Sequence, residues 1–512
     1  MAALAVRSLL VGACGGRTPP SNWVEHEAHA PSGETHATTS TTGKTAAIDP
    51  ARIDELDEAQ VLAALDRIGD AAPSARLALR AARLAHHRGD DADARALIAR
   101  SSTAADEANV HAELAALATS LAEPPVDAKL VAVLLPLTGK YSAIGSELAA
   151  AIRLAPAGGT TWVFLDTKGE PDGAAAAVEA AVGKGCVGVL GPVGEREAIA
   201  AARAAALHGL PIGLLAPADG ADPSAGVFRL VDSPADEARA VARIAHDDNF
   251  PTVGVFAPRD DLGQETAEAF VAEAQRLGLQ VTGQGSYDPT GGALEADVKK
   301  FLGLVPAQNP RLAAHLARYG KKGWTTFSPD VAYSLLYVPD RYDRAALVAA
   351  FLPYYNVELR TTEFPDPVLL QRKHGGHLPQ VVQLVGGAGW HHPSLPIRGG
   401  EAVQGALIVD AFGGELGGDA GAQFSTDFQQ RTGRGASGAA AQAYDAAQVI
   451  AKARAEASAA GGREPRAALR DALAHVRLDD GACGPAAMQP DGELGRSPSV
   501  LEVQGDQLIV AP

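Results

Sequence analysis

Four histidines, His374, His377, His391 and His392, fall within 19 residues of one another. Imidazoles at that density could hold zinc. They flank Gly- and Pro-rich loops, however, and no HExxH helix frames them. They read as solvated loop histidines, and no metal is expected. His86 and His87 read as a solvated helix end. Asp260 and Asp261 are neighbouring carboxylates, but adjacency in sequence does not build an acid–base pair. Ser437, in Gly435-Ala436-Ser437-Gly438, lacks the last glycine of a nucleophile elbow. Gly43-Lys44-Thr45 looks like the end of a phosphate-binding loop. Its upstream glycine would fall at Thr38, and neither the strand nor the helix of such a loop flanks it. Cys14, Cys186 and Cys483 form no CxxC pair. Cys186 lies in an apolar run and reads as a small core residue; a Cys186–Cys483 disulfide stays open. No set of residues converges on catalysis, so the chain is expected not to be an enzyme and to carry no cofactor.

The elements that would position these residues follow from composition and pattern. The chain has 512 residues, 46% hydrophobic, 5% aromatic, with a formal net charge of −17. Small apolar residues with few aromatics suit layered α/β packing. The negative charge disfavours nucleic acid and anionic lipid as partners. No apolar run reaches the roughly 18 residues of a membrane span.

From Lys129 onward, continuous apolar runs alternate with helical stretches. Leu130–Leu135, Trp162–Leu165, Val187–Leu190 and Pro211–Leu215 predict buried parallel strands, with helices between them. A second set follows: a helix over Pro234–Asp248, a strand over Thr252–Phe256, a helix over Gln264–Leu277 and a strand over Gln280–Gln284. Later strands are Ser334–Val338, Gln380–Val385 and Gly405–Val409. This many βα units exceeds one sheet. The expected class is α/β with two doubly wound, Rossmann-like lobes. Lobe 1 takes about 129–231 plus 436–475; lobe 2 takes about 232–435 plus 476–512; together they occupy 124–512.

Upstream, residues 51–123 are Ala-, Leu- and Arg-rich with helical spacing and no strand signal. The helix, Gly89-Asp90 break, helix pattern resembles tetratricopeptide units, giving a small all-α helical-repeat module. Residues 15–50 are Ser-, Thr-, Pro- and Gly-rich and predict a flexible tether. Before it, Arg7 and Leu9-Leu10-Val11-Gly12-Ala13 lead into Cys14. Val11-Gly12-Ala13-Cys14 resembles the lipobox of bacterial lipoproteins. That resemblance implies a signal segment over 1–14 and lipidation of Cys14. It also implies attachment to the membrane through the lipid alone, on the periplasmic face of the outer membrane.

Val133-Leu134-Leu135-Pro136-Leu137-Thr138-Gly139 resembles the opening strand and loop of type I periplasmic binding proteins of the branched-chain amino-acid class. Gly191-Pro192 followed by Gly209-Leu210-Pro211-Ile212 resembles that family's third strand to fourth strand, Phe228-Arg229-Leu230 its crossover strand, Ala443-Tyr444-Asp445-Ala446-Ala447 the helix that returns to the first lobe, and Gly481-Ala482-Cys483-Gly484 and Pro490-Asp491-Gly492-Glu493 its C-terminal segment. These come in the family's order over about three-quarters of the chain. Residues 303–375 fit the standard fold poorly. An enlarged second lobe with a helical module and a lipid anchor is similar to the penicillin-binding-protein activator lipoproteins. That layout implies a protein partner, a peptidoglycan synthase, and activation of cell-wall synthesis. The fold itself supports an alternative: a solute-binding component of an ABC transporter, working with a permease on amino acids or other small polar ligands.

In open α/β sheets ligands sit at the carboxyl ends of the strands. That places Thr138, Gly139 and Tyr141, then Gly191, Pro192 and Gly194, then Ala216 at a cleft, faced by Asp260, Asp261 and Asp340 from the second lobe. The resemblance implies hydroxyl-bearing residues after the third and fourth strands to grip an α-carboxylate. Here Val193-Gly194-Glu195 and Leu215-Ala216-Pro217 stand there. Glu195 would repel a carboxylate and Pro217 has no N–H to give. A free amino acid is therefore not the expected ligand.

Overall fold

The computed structural model describes residues 50–511, apart from 103–107, 122–125, 218–219, 362–365, 375 and 461–463. Cys14 and the Ser/Thr-rich segment up to residue 49 lie outside the described residues. A 3₁₀ turn, Pro50–Glu55, leads into four helices: α1 (Glu58–Ile68), α2 (Ala75–His87), α3 (Asp91–Arg100) and α4 (Ala108–Ser120). Their starts are set by side-chain caps. Asp57 and Gln60 form a capping box, Ser74 accepts from the Leu77 N–H, and Asp90 accepts from the Asp93 N–H. The Gly89-Asp90 break thus separates an antiparallel helix pair, as its spacing predicts.

β1 (Asp127–Leu135) opens the first sheet. Its apolar run is buried on both faces. Val131, Val133 and Leu135 enter one core cluster, and Ala132 and Leu134 the opposite one. α5 (Ser142–Leu154), β2 (Thr161–Asp166), α6 (Pro171–Gly183), β3 (Cys186–Leu190), α7 (Glu195–Leu207), β4 (Ile212–Leu214) and β5 (Val227–Arg229) complete the set. The strands are all parallel, in the order β2-β1-β3-β4-β5.

The chain then crosses to the second lobe through α8 (Pro234–Asp247), β6 (Thr252–Pro258), α9 (Asp261–Arg276), β7 (Gln280–Tyr287) and α10 (Leu294–Phe301). α11 (Pro310–Tyr319) and α12 (Gly323–Thr326) follow. They belong to the stretch that departs from the standard pattern. Leu312, Phe327 and Tyr333 join the main core of this lobe, so the extra chain is part of its packing. β8 (Leu335–Tyr337), α13 (Tyr342–Tyr354), β9 (Glu358–Leu359), α14 (Pro367–Lys373), β10 (Val381–Gly386), α15 (Ser394–Gly399), β11 (Leu407–Asp410) and α16 (Asp419–Thr432) come next.

α17 (Gly438–Ala460) and α18 (Pro465–Leu473) return to the first core. β12 (Arg477–Leu478), β13 (Ala486–Met488) and β14 (Leu494–Arg496) make a small antiparallel sheet. β15 (Ser499–Gln504) and β16 (Gln507–Val510) end the chain on the second sheet, antiparallel beside β11. That sheet runs β16-β15-β11-β10-β8-β6-β7, with β9 on β10. Both sheets carry helices on both faces, the doubly wound, two-lobed architecture expected.

The boundary near residue 476 differs from the sequence reading, which gives 476–512 to the second lobe. Leu478, Ala486, Met488 and Leu494 pack in the first core instead, and only β15 and β16 join the second sheet. Their short antiparallel strands carry no periodic signal that names the sheet they cover. The lobes are therefore joined by three crossings: after β5, between β11 and α16, whose Phe424 and Phe428 pack with Ala151 of α5, and between β14 and β15.

Contrary to a solvated helix end, His86 and His87 are buried, His87 with 1% exposure. They sit where the helical module docks on the first lobe. Gly209 and Gly226 leave room for them: a Cβ there would fall 2.3 Å from the His86 ring and 2.9 Å from the His87 ring. Burial holds the His87 imidazole well below its ordinary pKa, and the neighbouring His86 and Arg470 push the same way. Arg80 completes the joint, bonding the Leu56 carbonyl and, at 3.0 Å, Asp222.

His374, His391 and His392 are drawn to separate places. His374 is buried against Glu358 at 2.8 Å, His391 bonds Asp410 at 2.7 Å, and His392 stacks on Tyr342. No group able to hold a metal ion occurs among the described residues. Cys186 and Cys483 are both buried and free, which closes the disulfide question.

Candidate functional site

The loop after β1 is held by the end of β2. Asp166 accepts from the backbone N–H groups of Leu137, Thr138 and Lys168 at 2.9, 3.2 and 2.9 Å, and from the Thr138 hydroxyl at 2.5 Å. Partial desolvation pushes this carboxyl up; the four hydrogen bonds together hold it below its ordinary range. Thr138 is thus committed to its own chain. Gly139 adopts a positive φ of 82°, and its missing Cβ clears the Lys168 carbonyl. Tyr141 is half exposed and lies over Gly169.

After β3, a Cβ on Gly191 would meet the Leu134 carbonyl oxygen at 2.3 Å, and Pro192 accepts from the Leu215 N–H at 3.0 Å. Gly194 caps α7 without a side chain, and the carboxylate of Glu197, buried, folds over it. One Glu197 oxygen, Oε2, has no hydrogen-bond partner. The helix start that would attract a ligand anion already faces a carboxylate of this chain. Ala216 is placed otherwise than at the cleft: it is fully buried in the core cluster of α6 and α7. An apolar residue just past a short strand follows the sheet's inner face, which the strand-end rule does not distinguish.

The second lobe offers a cavity of about 460 Å³. It lies at the carboxyl ends of β6, β8, β10 and β11 and reaches the crossings. Of the residues singled out from sequence, Asp260 and Asp340 line it, and the first-lobe loops and Asp261 do not. Asp260 caps α9 by accepting from the Gly263 N–H at 2.8 Å. Asp261, the first residue of that helix, points to solvent. The Asp340 side chain, 2% exposed, is fully engaged by Arg344, by the Tyr287 hydroxyl at 2.6 Å and by the Arg341 N–H. It is a wall, closed to a ligand by its own partners.

Three further charged groups on the cavity wall come from residues the motif reading did not select. Glu237, in the first turn of α8, accepts from the Ala388 N–H at 2.7 Å and the Tyr337 hydroxyl at 3.3 Å. Gly387 makes room, since a Cβ there would fall 1.6 Å from Glu237 Oε1. Burial pushes this carboxyl up to about 7; Asp410 and Asp232 add to the rise, against the pull of its two donors. Arg496 ends β14 at the third crossing with a side chain 2% exposed. It donates to the Leu230 carbonyl at 3.0 Å and approaches Asp232 at 3.6 Å. Its Nε and Nη1 have no hydrogen-bond partner. Asp232 lies on the first crossing, and its N–H donates to Gln442 of α17 at 2.7 Å. Arg496 and Asp232 thus put the crossings into the cavity wall. The sequence signal for them is thin: a charged residue at a strand end, beside a segment with no periodicity.

The profile of the family described as periplasmic binding protein matches residues 130–328 and 366–507, more than half of the chain. No curated protein matches it. Among solved structures, one described as a branched-chain amino acid ABC transporter from Rhodospirillum rubrum is 23% identical. That match covers 76% of this chain and 100% of its own, with a TM-score of 0.55. An ABC transporter substrate-binding protein from Sphaerobacter thermophilus is 16% identical, over 76% and 97% of the two chains, with a TM-score of 0.52. A parallel sheet and a mostly parallel one joined by three crossings, with the sequence profile running through both lobes, make this chain a member of the periplasmic binding protein family.

Proposed function

We propose that the chain is a solute-binding component of an ABC transporter, holding a small polar ligand against its second lobe at the crossings. The observation that carries this is the cavity of about 460 Å³ at the strand ends of the second lobe, whose wall takes Asp232 and Arg496 from the crossings and Glu237 from α8. The carboxyl ends of parallel strands are where open α/β folds take their ligands. The names of the structural relatives agree with this reading.

The sequence puts first a partner-binding activator of cell-wall synthesis; the cavity reverses that order. The activator stays as a second reading because the helical module is firmly joined to the first lobe through Arg80–Asp222 and the His86 and His87 rings. The two differ in a melting experiment with a panel of millimolar amino acids, amines, amides, carboxylates and sugars. A ligand at about 100 times its dissociation constant adds roughly 2.7 kcal/mol. We expect at least one solute to raise the melting temperature, and Arg496→Met to remove the shift. A flat panel, with capture of a purified peptidoglycan synthase by the same protein, would establish the activator instead.

Both readings place the protein in the cell envelope. Among the described residues no helix is long and apolar enough to cross a membrane. Attachment through a lipid on Cys14 is part of the proposal. Cys14→Ser is expected to move the protein from the membrane fraction to the soluble periplasmic fraction; a wild type already in the soluble fraction refutes the anchor.

A further inference from the structure

We propose that the outer helical layer of the second lobe docks on an anionic lipid surface, with apolar side chains of α13 and α15 entering it and the turn between α11 and α12 meeting its headgroups. This stands apart from the cavity and does not depend on what the cavity binds.

α10, α11, α13 and α15 form one layer. Val298, Leu312, Leu352 and Leu395, one from each, are buried in the same core on one face of the second sheet. After Arg344, α13 reads Ala345-Ala346-Leu347-Val348-Ala349-Ala350-Phe351-Leu352-Pro353-Tyr354, with no polar group before the last hydroxyl. Ala345, Val348, Ala349 and Leu352 face the core. Leu347 and Tyr354, two turns and about 10 Å apart, are 55% and 56% exposed, and Phe351 between them is half-buried. A surface helix ordinarily turns charged residues outward, and one that is apolar all round is ordinarily covered. The bare surface continues past both ends of α13. Ile397 of α15 is 75% exposed, and its neighbour Arg398 lies 5.8 Å over the ring of Tyr342, where α13 begins. At the other end Lys299 of α10 joins the rings of Trp324 in α12, at 4.6 Å, and Tyr355, at 5.5 Å. Apolar surface running across several elements marks a contact.

The charge beside it fits an anionic surface. The chain carries −17, yet residues 298–329 hold six cations and no acid. Lys299 pairs with Glu295 at 2.7 Å and Arg311 with Asp330 at 2.7 Å. Lys300, Arg318, Lys321 and Lys322 are exposed, with no acid partner among the described residues. The other acids of the layer are few: Asp297 is taken by Arg259, Asp343 by Arg341, and Glu401 lies just past α15. Tyr319, half exposed, sits under Arg318 at 5.2 Å. Aromatic rings and long basic side chains bordering an apolar face are what the headgroup region of a bilayer takes. Each basic residue near such a surface contributes a factor of about five. An acidic protein would match the charge, but protein interfaces concentrate their binding in a desolvated pocket. Here the bare side chains are spread over three helices. The negative charge of the whole chain disfavours anionic lipid; this face reverses it locally, and screening limits the repulsion to about 10 Å in 0.1 M salt. Such docking is reversible and released by washing, unlike a lipid anchor.

Vesicle co-sedimentation tests this on the full chain carrying Cys14→Ser, so that no acyl chain contributes. Vesicles of phosphatidylcholine alone are compared with vesicles of equal parts phosphatidylcholine and phosphatidylglycerol. The mixed vesicles should bind at least tenfold more tightly, and the difference should vanish in about 1 M salt, where the screening length falls to about 3 Å. Lys321→Glu with Lys322→Glu should weaken binding at least tenfold. Leu347→Ser with Ile397→Ser leaves the charge alone and should weaken it at least fivefold. All four positions are exposed, so both variants should keep the melting temperature. Millimolar glycerol phosphate should not compete. Equal binding to both vesicles, binding to neither, or full binding by either variant overturns the inference. Competition by glycerol phosphate also overturns it, leaving a site for small anions. If the vesicles stay unbound while the chain captures polyglutamate or pairs with a second copy of itself, and either variant abolishes that, the face belongs to a protein and the lipid falls.

Discussion

Replacing Arg229 by methionine should destabilise the protein by about 3–5 kcal/mol, the usual cost of leaving a buried ion pair with one partner. Arg229 ends β5 with 4% exposure. Its Nη1 donates to Asp236 at 2.5 Å and to the Val231 carbonyl at 3.2 Å, and its Nη2 lies 2.6 Å from Glu493. It therefore ties the last strand of the first sheet to the first turn of α8 and to the hairpin before β14. Desolvation opposes the charge on Asp236, but Arg229, the Ser233 N–H and Arg239 hold this carboxyl well below its ordinary range. A depressed folded pKa stabilises above the unfolded value and is lost as pH falls through the folded one. The wild type should lose this contribution only in strong acid, and the variant should lack it at neutral pH. Urea unfolding at neutral pH measures it. A change under 1 kcal/mol would mean the pair is solvated and the joint is held by packing alone.

Glu237→Gln should have the opposite sign. The folded carboxyl sits at about 7 against an ordinary 4.5. A raised acid takes up a proton on folding, so stability is present in acid and lost as pH climbs through 7. The difference corresponds to up to about 3 kcal/mol at alkaline pH, at 1.36 kcal/mol per unit. Glutamine keeps an oxygen for the Ala388 N–H and removes the charge. The ligand-free variant should therefore melt higher than the wild type near pH 8 and at the same temperature near pH 4.5. Equal melting at both pH values would place Glu237 in contact with solvent. A gain of stability together with a loss of ligand affinity is the pattern of a site residue kept for binding.

The strands were legible because parallel sheets bury both faces. Leu130–Leu135 and Val187–Leu190 read as continuous apolar runs for that reason. Helix starts were legible where Ser, Asp or Pro-led caps stand, as at Ser233-Pro234. The rule that ligands sit at strand ends found Asp260 and Asp340 on the cavity. It could not show that Asp340 is occupied by Arg344, nor that the Thr138 hydroxyl is taken by Asp166, because both partners are distant or off the motif. The sequence reading puts a lobe boundary at 231/232, yet it does not select Asp232, Arg496 or Glu237 as site residues, for a related reason. The crossings carry no period, and a charge there looks like any surface charge. The histidines show the converse: Gly209 and Gly226 mark the burial of His86 and His87, but more than a hundred residues separate these glycines from them.

The described contacts of the four-helix module, through Asp222, Gly209 and Gly226, all lie on the first lobe. Arg496 and Asp232 sit on the crossings, and Glu237 on the second. The molecule is thus a clamp with a handle fixed to one jaw. A body bound to the helices would rest on the first jaw alone, and any turn of the second jaw about the crossings would leave that footing unchanged.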